Sequence, residues 1–514
     1  MASRRDELNA YTFAKKRTVA AFLQPSPSGT EEGAPRALRA VVPSVIVATL
    51  VVAGFGAWGM FKPKAPKDWA APGTKVIVGK NSTTRYVVLS TGKGKNKKAL
   101  LHPVLNLASA RLLLNPSQFA VIQVSDDILD AGKPPRGPIL GIPYAPDRLP
   151  GEKDAGKAKR WAVCQQPGGQ GKTVQKATFV FADREAGKVD GGQRLKDGEV
   201  LYVQGQDKAR YLVDAAGTKY AIGGAPAEQE TLTLALVGNE EPQSVTDDWL
   251  ATLHTGSPVS FPQLPGGVGA NAGIQGQLSA DENKVGMVLK TETGSGPQHY
   301  VVLQGKVQPV SEFTARLVIT SPATKELDME GKARDVDLQD FQPDGETFAS
   351  GFKWPEHKAV QVNSAGGGGD RDTVCSVLRK VDDKGRTTLS TWAGTKYPAE
   401  ITATGTSTYV TPGTGLLYTQ VQGKQTRPDG SLFLVTDTGL RYAVQANGDS
   451  DADQSDIGTG DEQKQRDGRP EPSQAQIRLG YEKVLPALVP ITWSEFLAKG
   501  PRLDTNSARQ PQGS

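Results

Sequence analysis

The longest apolar run in the chain covers Ala40 to Phe61 and carries no charged side chain in its 22 positions. At a helical rise of about 1.5 Å per residue this run extends roughly 33 Å, enough for a bilayer core of about 30 Å. A cleavable secretory signal would be shorter and end in small residues, whereas Trp58 and Met60 stand there. The pattern therefore predicts a single uncleaved transmembrane helix.

Small residues recur along this predicted helix. Thr49, Ala53 and Ala57 are four residues apart, and Gly56 lies beside them. Because such spacing permits close approach of membrane helices, these four residues are a predicted contact face with neighbouring membrane subunits. Gly and Ala are common in membrane helices in any case, so a simple tether is the alternative.

The first 39 residues form a basic arm. Seven Lys or Arg against four Asp or Glu give it a net charge of +3. Residues 2–24 have the spacing of an amphipathic helix, with Leu8, Tyr11 and Phe22 near one face. We interpret this helix as a docking or surface-lying element, with a solvated tail as the alternative.

The large portion behind the apolar run is predicted to be rich in β-structure. The chain has 58 Gly and 35 Pro and only 6% aromatic residues, which is typical of many short elements and turns. Its net charge of +5 leaves about +2 outside the basic arm. Since no basic face is clustered there, the sequence argues against nucleic-acid binding.

Cys164 and Cys375 are the two cysteines of the chain, and both lie in strand-like segments. A single distant pair suits one structural disulfide in an oxidising compartment, with two buried free thiols as the alternative. Lysines after the apolar run outnumber the arginines just before it, so local charge mildly favours the opposite orientation. The cysteines therefore carry the prediction that the large portion lies outside the cytosol.

Internal repeats organise the large portion. Tyr211 to Ile222 and Phe433 to Val444 match without a gap and predict β-hairpins that turn at Gly217 and Gly439. Two further copies contain the motif Tyr-Val-Val-Leu, at 86–89 and 300–303, and continue into helices predicted at 106–114 and 311–319. Because such small units cannot bury an apolar face alone, four copies should share one body with the intervening segments.

The predicted fold class is α+β: a single N-terminal transmembrane helix followed by a β-rich ectodomain of four small repeat domains around a central domain that would carry the disulfide. The predicted boundaries are a basic arm at 1–39, the transmembrane helix at 40–61, a juxtamembrane linker at 62–74, repeat 1 at 75–125, the first part of the central domain at 126–198, repeat 2 with a Pro/Gly strap at 199–281, repeat 3 at 282–329, the second part of the central domain at 330–427, repeat 4 at 428–503 and a disordered tail at 504–514. An acidic, Gly-rich excursion interrupts repeat 4 at Gly448 to Pro472.

Candidate chemistry is sparse. Gly171, Lys172 and Thr173 look like the end of a phosphate-binding loop, but Gln166 replaces its first glycine and no helix pattern opens at Lys172. Such a loop binds through backbone N–H groups at a helix N-terminus, so a surface turn is the preferred interpretation. The four histidines lack ligand spacing. The sequence thus predicts no catalytic residue, no cofactor and no metal.

Several blocks together resemble a known family. They are Phe61-Lys62-Pro63 after the apolar run, the block from Leu101 to Leu112 (LHPVLNLASARL), the Trp161-x-x-Cys164 element, the block from Gly296 to Leu303 and the block from Thr438 to Tyr442. With this order across essentially the whole chain, the protein resembles the EccB component of the actinobacterial type VII (ESX) secretion system.

The resemblance implies an inner-membrane protein that crosses once, with a cytosolic N-terminus and a large extracytoplasmic domain. It implies a disulfide in a central domain surrounded by four repeats akin to a phage lysin cell-wall-binding subunit. The implied role is scaffolding, with the EccC motor ATPase, the EccD channel component, EccE and further copies of the chain itself as partners. Two alternatives remain: an ATP hydrolase, as EccB proteins are sometimes labelled, and a membrane-anchored module that binds peptidoglycan.

Overall fold

The computed structural model describes residues 3–23, 38–61, 65–91, 97–168, 172–294, 296–365, 370–401, 407–422, 430–445 and 472–512. In the helix at 38–61 the side chains of residues 41–56 are described. Three predictions therefore fall wholly or mostly outside the described residues: those on Gly171, on the side chains of Ala57 and Lys172, and on the acidic excursion at Gly448 to Pro472.

The described helices are short apart from three. They are α1 (Arg4–Leu23), α2 (Leu38–Phe61), α3 (Leu107–Leu113), α4 (Asp126–Asp130), α5 (Glu152–Ala155), α6 (Gly187–Asp190), α7 (Pro226–Val237), α8 (Asp247–Leu250), α9 (Glu312–Thr320), α10 (Gln474–Arg478), α11 (Ile491–Ser494) and α12 (Thr505–Arg509).

The described strands are β1 (Lys75–Gly79), β2 (Arg85–Thr91), β3 (Lys98–Val104), β4 (Ala120–Val124), β5 (Arg160–Gly168), β6 (Lys172–Phe181), β7 (Glu199–Gln204), β8 (Arg210–Val213), β9 (Thr218–Ala221), β10 (Gln243–Ser244), β11 (His254–Thr255) and β12 (Val288–Thr293). They continue with β13 (Gly296–Leu303), β14 (Lys306–Val310), β15 (Arg334–Asp335), β16 (Val360–Gln361), β17 (Thr373–Val381), β18 (Thr387–Gly394), β19 (Thr408–Val410), β20 (Leu416–Val421), β21 (Leu432–Val435), β22 (Leu440–Ala443), β23 (Ala487–Pro490) and β24 (Ala498–Lys499).

Helices α1 and α2 belong to a compact unit formed by residues 1–69, 79–83 and 123–133. Apart from Ala20, the side chains of α1 are exposed, including the predicted face at Leu8, Tyr11 and Phe22. The side chains of 41–56 in α2 are exposed as well. Within the described ranges, no helix reaches the length and apolar character needed to cross a membrane. The transmembrane span accordingly stays a prediction.

Four of the sheets share one plan. Each contains a three-stranded antiparallel meander, formed by β1–β3, β7–β9, β12–β14 and β20–β22. Short strands join the meanders: β4 in the first sheet, β10, β11 and β16 in the second, β15 in the third, β23 and β24 in the fourth. We call these the first to fourth sheets.

The predicted hairpins at Gly217 and Gly439 are confirmed, since both glycines take the left-handed backbone that the turns between β8 and β9 and between β21 and β22 require. The helices predicted at 106–114 and 311–319 are confirmed as α3 and α9. Local pattern and turn chemistry suffice for such elements because both operate over a few neighbouring residues.

A fifth sheet, called the central sheet, has the strand order β18-β17-β5-β6-β19. Its strands come from two distant parts of the chain, before and after the second and third sheets. One apolar core contains Trp161 of the central sheet, Trp249 beside the second sheet and Trp493 beside the fourth. The central sheet is therefore packed against both the second and the fourth sheets.

The structure corrects several boundaries. Strand β20 lies in the segment predicted as central, yet it pairs with β21 in the fourth sheet. Strand β15 lies beyond the predicted end of repeat 3, yet it pairs with β12. The 12-residue helix α7 was not predicted. A buried strand looks the same in either domain, and a two-residue parallel strand has no periodicity, so partners alone decide these assignments.

Candidate functional site: the joints around the central sheet

Cys164 on β5 and Cys375 on β17 form a disulfide and lie directly opposite each other in the antiparallel pair. Both residues are completely buried. The bond joins positions 211 residues apart, so the loop that it closes contains all of the second and third sheets. The expected disulfide is confirmed, and it joins two distant parts of the chain in one sheet.

The second sheet meets the central sheet through a buried polar joint. Gln165 follows Cys164, and its amide Nε2 donates to Thr246 Oγ1 at 2.6 Å, while its Oε1 accepts from Thr246 N at 3.0 Å. Trp249 Nε1 donates to the carbonyl oxygen of Val163 at 2.9 Å. Because Gln165 and Trp249 are fully buried, these directional bonds fix how the second sheet sits on β5.

An asparagine extends this joint along the edge of the second sheet. Asn363 Oδ1 accepts from Tyr202 N at 2.8 Å, and its Nδ2 donates to Tyr202 O and to Gln243 Oε1, each at 3.0 Å. Strands β16 and β10 pair with different parts of β7, and Tyr202 lies between those parts. The Asn363 side chain therefore satisfies the backbone groups that neither short strand reaches.

The fourth sheet meets the central sheet through an apolar joint. The rings of Trp161 and Tyr418 are 5.6 Å apart and nearly perpendicular, at 82°. At the far end of Tyr418 the hydroxyl shares a hydrogen bond of 2.7 Å with Ser494 Oγ, which also accepts from Arg441 Nη1 at 2.6 Å. Burial raises the pKa of Tyr418 to about 12, so its hydroxyl stays protonated.

The first and fourth sheets share another core and two arginine contacts. Arg111 on α3 donates from Nη1 to Leu479 O at 2.8 Å, and Arg478 on α10 donates from Nη1 to Leu114 O at 2.8 Å. Tyr481 OH donates to Pro150 O at 2.9 Å. These bonds connect residues more than 300 positions apart, so the beginning and end of the second unit are held together.

The C-terminal segment packs against the core shared by the first and fourth sheets. The prediction of a disordered tail at 504–514 is therefore wrong as far as residue 512. Asp504 caps α12 by accepting from Ser507 N at 2.8 Å, and Leu503 and Ala508 are fully buried. Gln512 donates from its backbone N to Ile139 O at 2.8 Å. The segment looks solvated from its polar sequence, but Leu503 and Ala508 pack in the core around α3.

The remaining predicted residues lie on β6 and α2. Lys172 and Thr173 begin β6, directly after the residues 169–171 that are not described. On α2, Thr49, Ala53 and Gly56 are exposed, and the Thr49 hydroxyl donates to Val45 O at 2.8 Å. Across the described residues no group of three or more His, Cys, Asp or Glu side chains is placed to hold a metal ion.

Sequence reasoning missed the polar joint and the arginine contacts. One signal was available for the polar joint, since Gln165 continues an apolar strand directly after Cys164 and a buried glutamine needs partners. Nothing in the local pattern of Arg111 or Arg478 points to carbonyl groups hundreds of residues away.

These joints define a class of protein: an assembly of small sheets packed around a disulfide-bonded sheet. A search for relatives agrees with this class. The family described as "Type VII secretion system ESX-1, transport TM domain B" matches residues 1–513. The chain belongs to this family, that of EccB.

Relatives within the family are distant. The chain is 28% identical over 282 residues to "ESX-1 secretion system ATPase EccB1" of Mycobacterium tuberculosis, covering 54% of this chain and 53% of that protein. It is 25% identical over 442 residues to "ESX-3 secretion system ATPase EccB3" of Mycolicibacterium smegmatis, covering 79% of this chain and 75% of that protein. The match thus spans about half the length of the ESX-1 relative.

Solved structures share the fold. A chain of an intact ESX-5 inner membrane complex has a TM-score of 0.55 at 20% identity, covering 100% of this chain and 96% of that chain. A chain of the EccB3 dimer from the ESX-3 core complex has a TM-score of 0.53 at 22% identity, covering 85% and 99%. At this level of identity the likeness establishes the β-rich, multi-sheet architecture.

Proposed function

We propose that the protein is a non-catalytic structural subunit of a type VII secretion complex in the inner membrane, and that it scaffolds the complex through its extracytoplasmic domain. The observation that carries the proposal is the set of joints around the central sheet, in a chain of the EccB family. Bonds and cores that lock successive sheets together suit a rigid body that holds other subunits in place. The proposal includes four repeats arranged around a central domain. The four three-stranded meanders support this arrangement.

The proposed topology has α1 in the cytosol, α2 in the membrane and the sheets outside the cytosol. The uncharged run at Ala40 to Phe61 supports the span. The buried disulfide supports an oxidising compartment for the central sheet. A cysteine-labelling experiment tests this: an added cysteine at exposed Lys325 should react with a membrane-impermeant maleimide in intact cells, and one at exposed Asn9 should not.

The proposed partners are those that the family resemblance implies: the EccC motor, the EccD channel component, EccE and other copies of this chain. Tagged full-length protein, extracted in detergent, should co-purify with these subunits. A variant without residues 1–61 should lose the membrane subunits and keep the folded sheets. Normal secretion after deletion of the whole gene would overturn the scaffold proposal.

The face at Thr49, Ala53, Gly56 and Ala57 is proposed as the contact of α2 with other membrane subunits. Replacing Ala53 by Leu adds bulk to that face and should reduce the yield of the full complex. Ala48→Leu makes the same substitution about 140° around the helix from Ala53 and serves as the control. Equal yields from both variants would make α2 a simple tether.

The relatives are named as ATPases, so ATP hydrolysis is the second candidate function. The geometry around Lys172 opposes it, because β5 and β6 form a hairpin that pairs Gly168 with Lys172. A phosphate-binding loop needs a helix that begins at its lysine. Lys172→Ala should leave any ATP turnover of the purified full chain unchanged, and a loss beyond about tenfold would restore the enzyme hypothesis.

A further inference from the structure

Three arginines and one aspartate meet at one end of the central sheet; we call them the arginine cluster. Arg160 begins β5, Arg379 lies near the end of β17, Asp190 ends α6 and Arg194 follows four residues later. Arg160 Nε is 3.1 Å from Asp190 Oδ2, and Arg379 Nη1 is 2.8 Å from Asp190 Oδ1. One carboxylate thus faces two guanidinium groups directly.

A strand irregularity places Arg379 in the cluster. Trp161 pairs with Leu378 across β5 and β17, and the register of β17 against β18 shifts between Leu378 and Lys380. Arg379 is the extra residue at this bulge, and bulges redirect side chains. Arg160 Nη1 also donates to Arg379 O at 3.0 Å. Two like charges are therefore held side by side across neighbouring strands, which is unfavourable without a counter-charge.

Asp190 neutralises one of these charges, which leaves the cluster with an excess of positive charge. Burial lowers the pKa of Arg379, Asp190 opposes that shift, and the charges of Arg194 and Arg160 add to it. Arg379 Nη1 and Asp190 Oδ1 are buried atoms in ion-pair contact, and neither makes an aligned hydrogen bond with a described residue. The exposed 22% of the Arg379 side chain therefore lies away from this ion pair.

The cluster is reachable from solvent. The side chains of Arg160, Arg379 and Asp190 are 26%, 22% and 21% exposed, and Arg194 is an exposed residue in the following loop. Guanidinium groups pair preferentially with planar oxyanions, so an arriving acidic group would meet the exposed guanidinium of Arg194, and the charges of Arg160 and Arg379 would add to the attraction.

We propose that the arginine cluster docks a carboxylate side chain of a neighbouring protein subunit in the secretion complex. The inference rests on the proposed scaffold function. Charge complementarity selects the occupant: an acidic residue at the rim of a subunit interface reduces the excess positive charge that Asp190 alone leaves.

The test uses the full-length protein in detergent extracts, with native gel electrophoresis of the complex as the readout. Arg194→Glu reverses an exposed charge and should lower the amount of full-size complex about tenfold at roughly 0.15 M salt. Arg379→Gln should lower it about threefold. Lys325→Glu makes the same charge reversal at an exposed residue beside the third sheet and should leave the complex at its wild-type level.

Circular dichroism melts of the same samples check that each variant is folded. Wild-type amounts of complex in both arginine variants would overturn the docking inference and leave the scaffold function standing. Failure of the wild-type chain to enter any complex would overturn the scaffold function, and the docking inference with it. A loss in Lys325→Glu equal to that in Arg194→Glu would also overturn the docking site, because the effect would then follow net charge.

Discussion

The second and fourth sheets are two copies of one unit that meet the central sheet in different ways. Both place a buried tryptophan against the central sheet, Trp249 and Trp493. Both set a cation over an aromatic ring, Lys219 over Tyr211 and Arg441 over Phe433. Yet the second sheet is fixed by hydrogen bonds from Gln165, and the fourth by the ring contact of Trp161 with Tyr418.

The repeated unit determines the shape of each sheet, and the joint determines how precisely that sheet is placed on the central sheet. An apolar contact tolerates small shifts, whereas a buried hydrogen bond is lost if the groups move. The second sheet also shares an apolar core with helix α9, which follows β14 of the third sheet. An error in the placement of the second sheet would therefore displace the third sheet as well. A directional joint at Gln165 is therefore suited to the sheet that carries another sheet.

The largest expected effect comes from removing the shared tryptophans. Trp249→Ala and Trp493→Ala should each lower the free energy of unfolding by about 3–5 kcal/mol, because both rings are fully buried. Trp249→Ala should cost about 1 kcal/mol more, since it also loses the hydrogen bond to Val163. Urea unfolding of the full chain, followed by circular dichroism, measures both, with half-exposed Phe352→Ala as the control. A greater loss of stability in Trp493→Ala than in Trp249→Ala would mean that the joint of the fourth sheet depends more on its tryptophan than the joint of the second sheet does.

The two joints themselves can be compared by removing one polar group from each. Gln165→Met keeps the volume but leaves the N–H and hydroxyl of Thr246 without partners, so we expect a loss of about 2–3 kcal/mol. Tyr418→Phe removes a hydroxyl from the apolar joint and should cost about 1 kcal/mol. The same urea titration applies, and equal losses would show that the fourth joint depends on its hydroxyl as much as the second depends on its amide.

A smaller effect should be common to both sheets. A Cβ at Gly256 or Gly500 would collide with the ring of Tyr220 or Tyr442, respectively. We expect Gly256→Ala and Gly500→Ala to cost similar amounts, about 1–2 kcal/mol, because the same contact is disturbed in each copy. Thermal melts of both variants, beside Gly192→Ala where the space is open, check this equality. Unequal losses would mean that the two tyrosines are not held equivalently.

The smallest expected effect is a pH dependence confined to the second sheet. Burial raises the pKa of Asp214, against hydrogen bonds from Thr218 N, Tyr220 OH and Ala216 N and the charge of His254. The folded state then holds this proton more tightly than the unfolded state, in which the pKa is about 4. The resulting stability is present below that pH and is lost as pH rises through the raised folded pKa.

Asp214→Asn should remove this dependence, so the stability of the wild type relative to the variant should fall as pH rises above about 4. The fourth sheet has Thr436 at the matching position and should contribute no such slope. Urea titrations at a series of pH values compare the two proteins. A difference that grows with pH would mean that the hydrogen bonds to Asp214 outweigh its burial.

The amino-acid sequence alone was enough to predict the local elements and to indicate the disulfide. Hairpin turns at Gly217 and Gly439 and the helices α3 and α9 followed from short patterns, and a simple count left Cys164 and Cys375 one possible partner each, with free thiols as the alternative. Each depends on a few neighbouring residues or, for the cysteines, on having one possible partner. The apolar run from Ala40 to Phe61 remains the sequence's own prediction of a membrane anchor.

The tertiary structure alone decided which elements belong together. It moved β20 and β15 into other sheets, folded the polar C-terminal segment onto the core around α3 and gave Gln165 its partners. It also brought Arg160 and Arg379 to one aspartate from strands more than 200 residues apart. Such contacts depend on free energies summed over distant residues, which no local pattern along the chain contains.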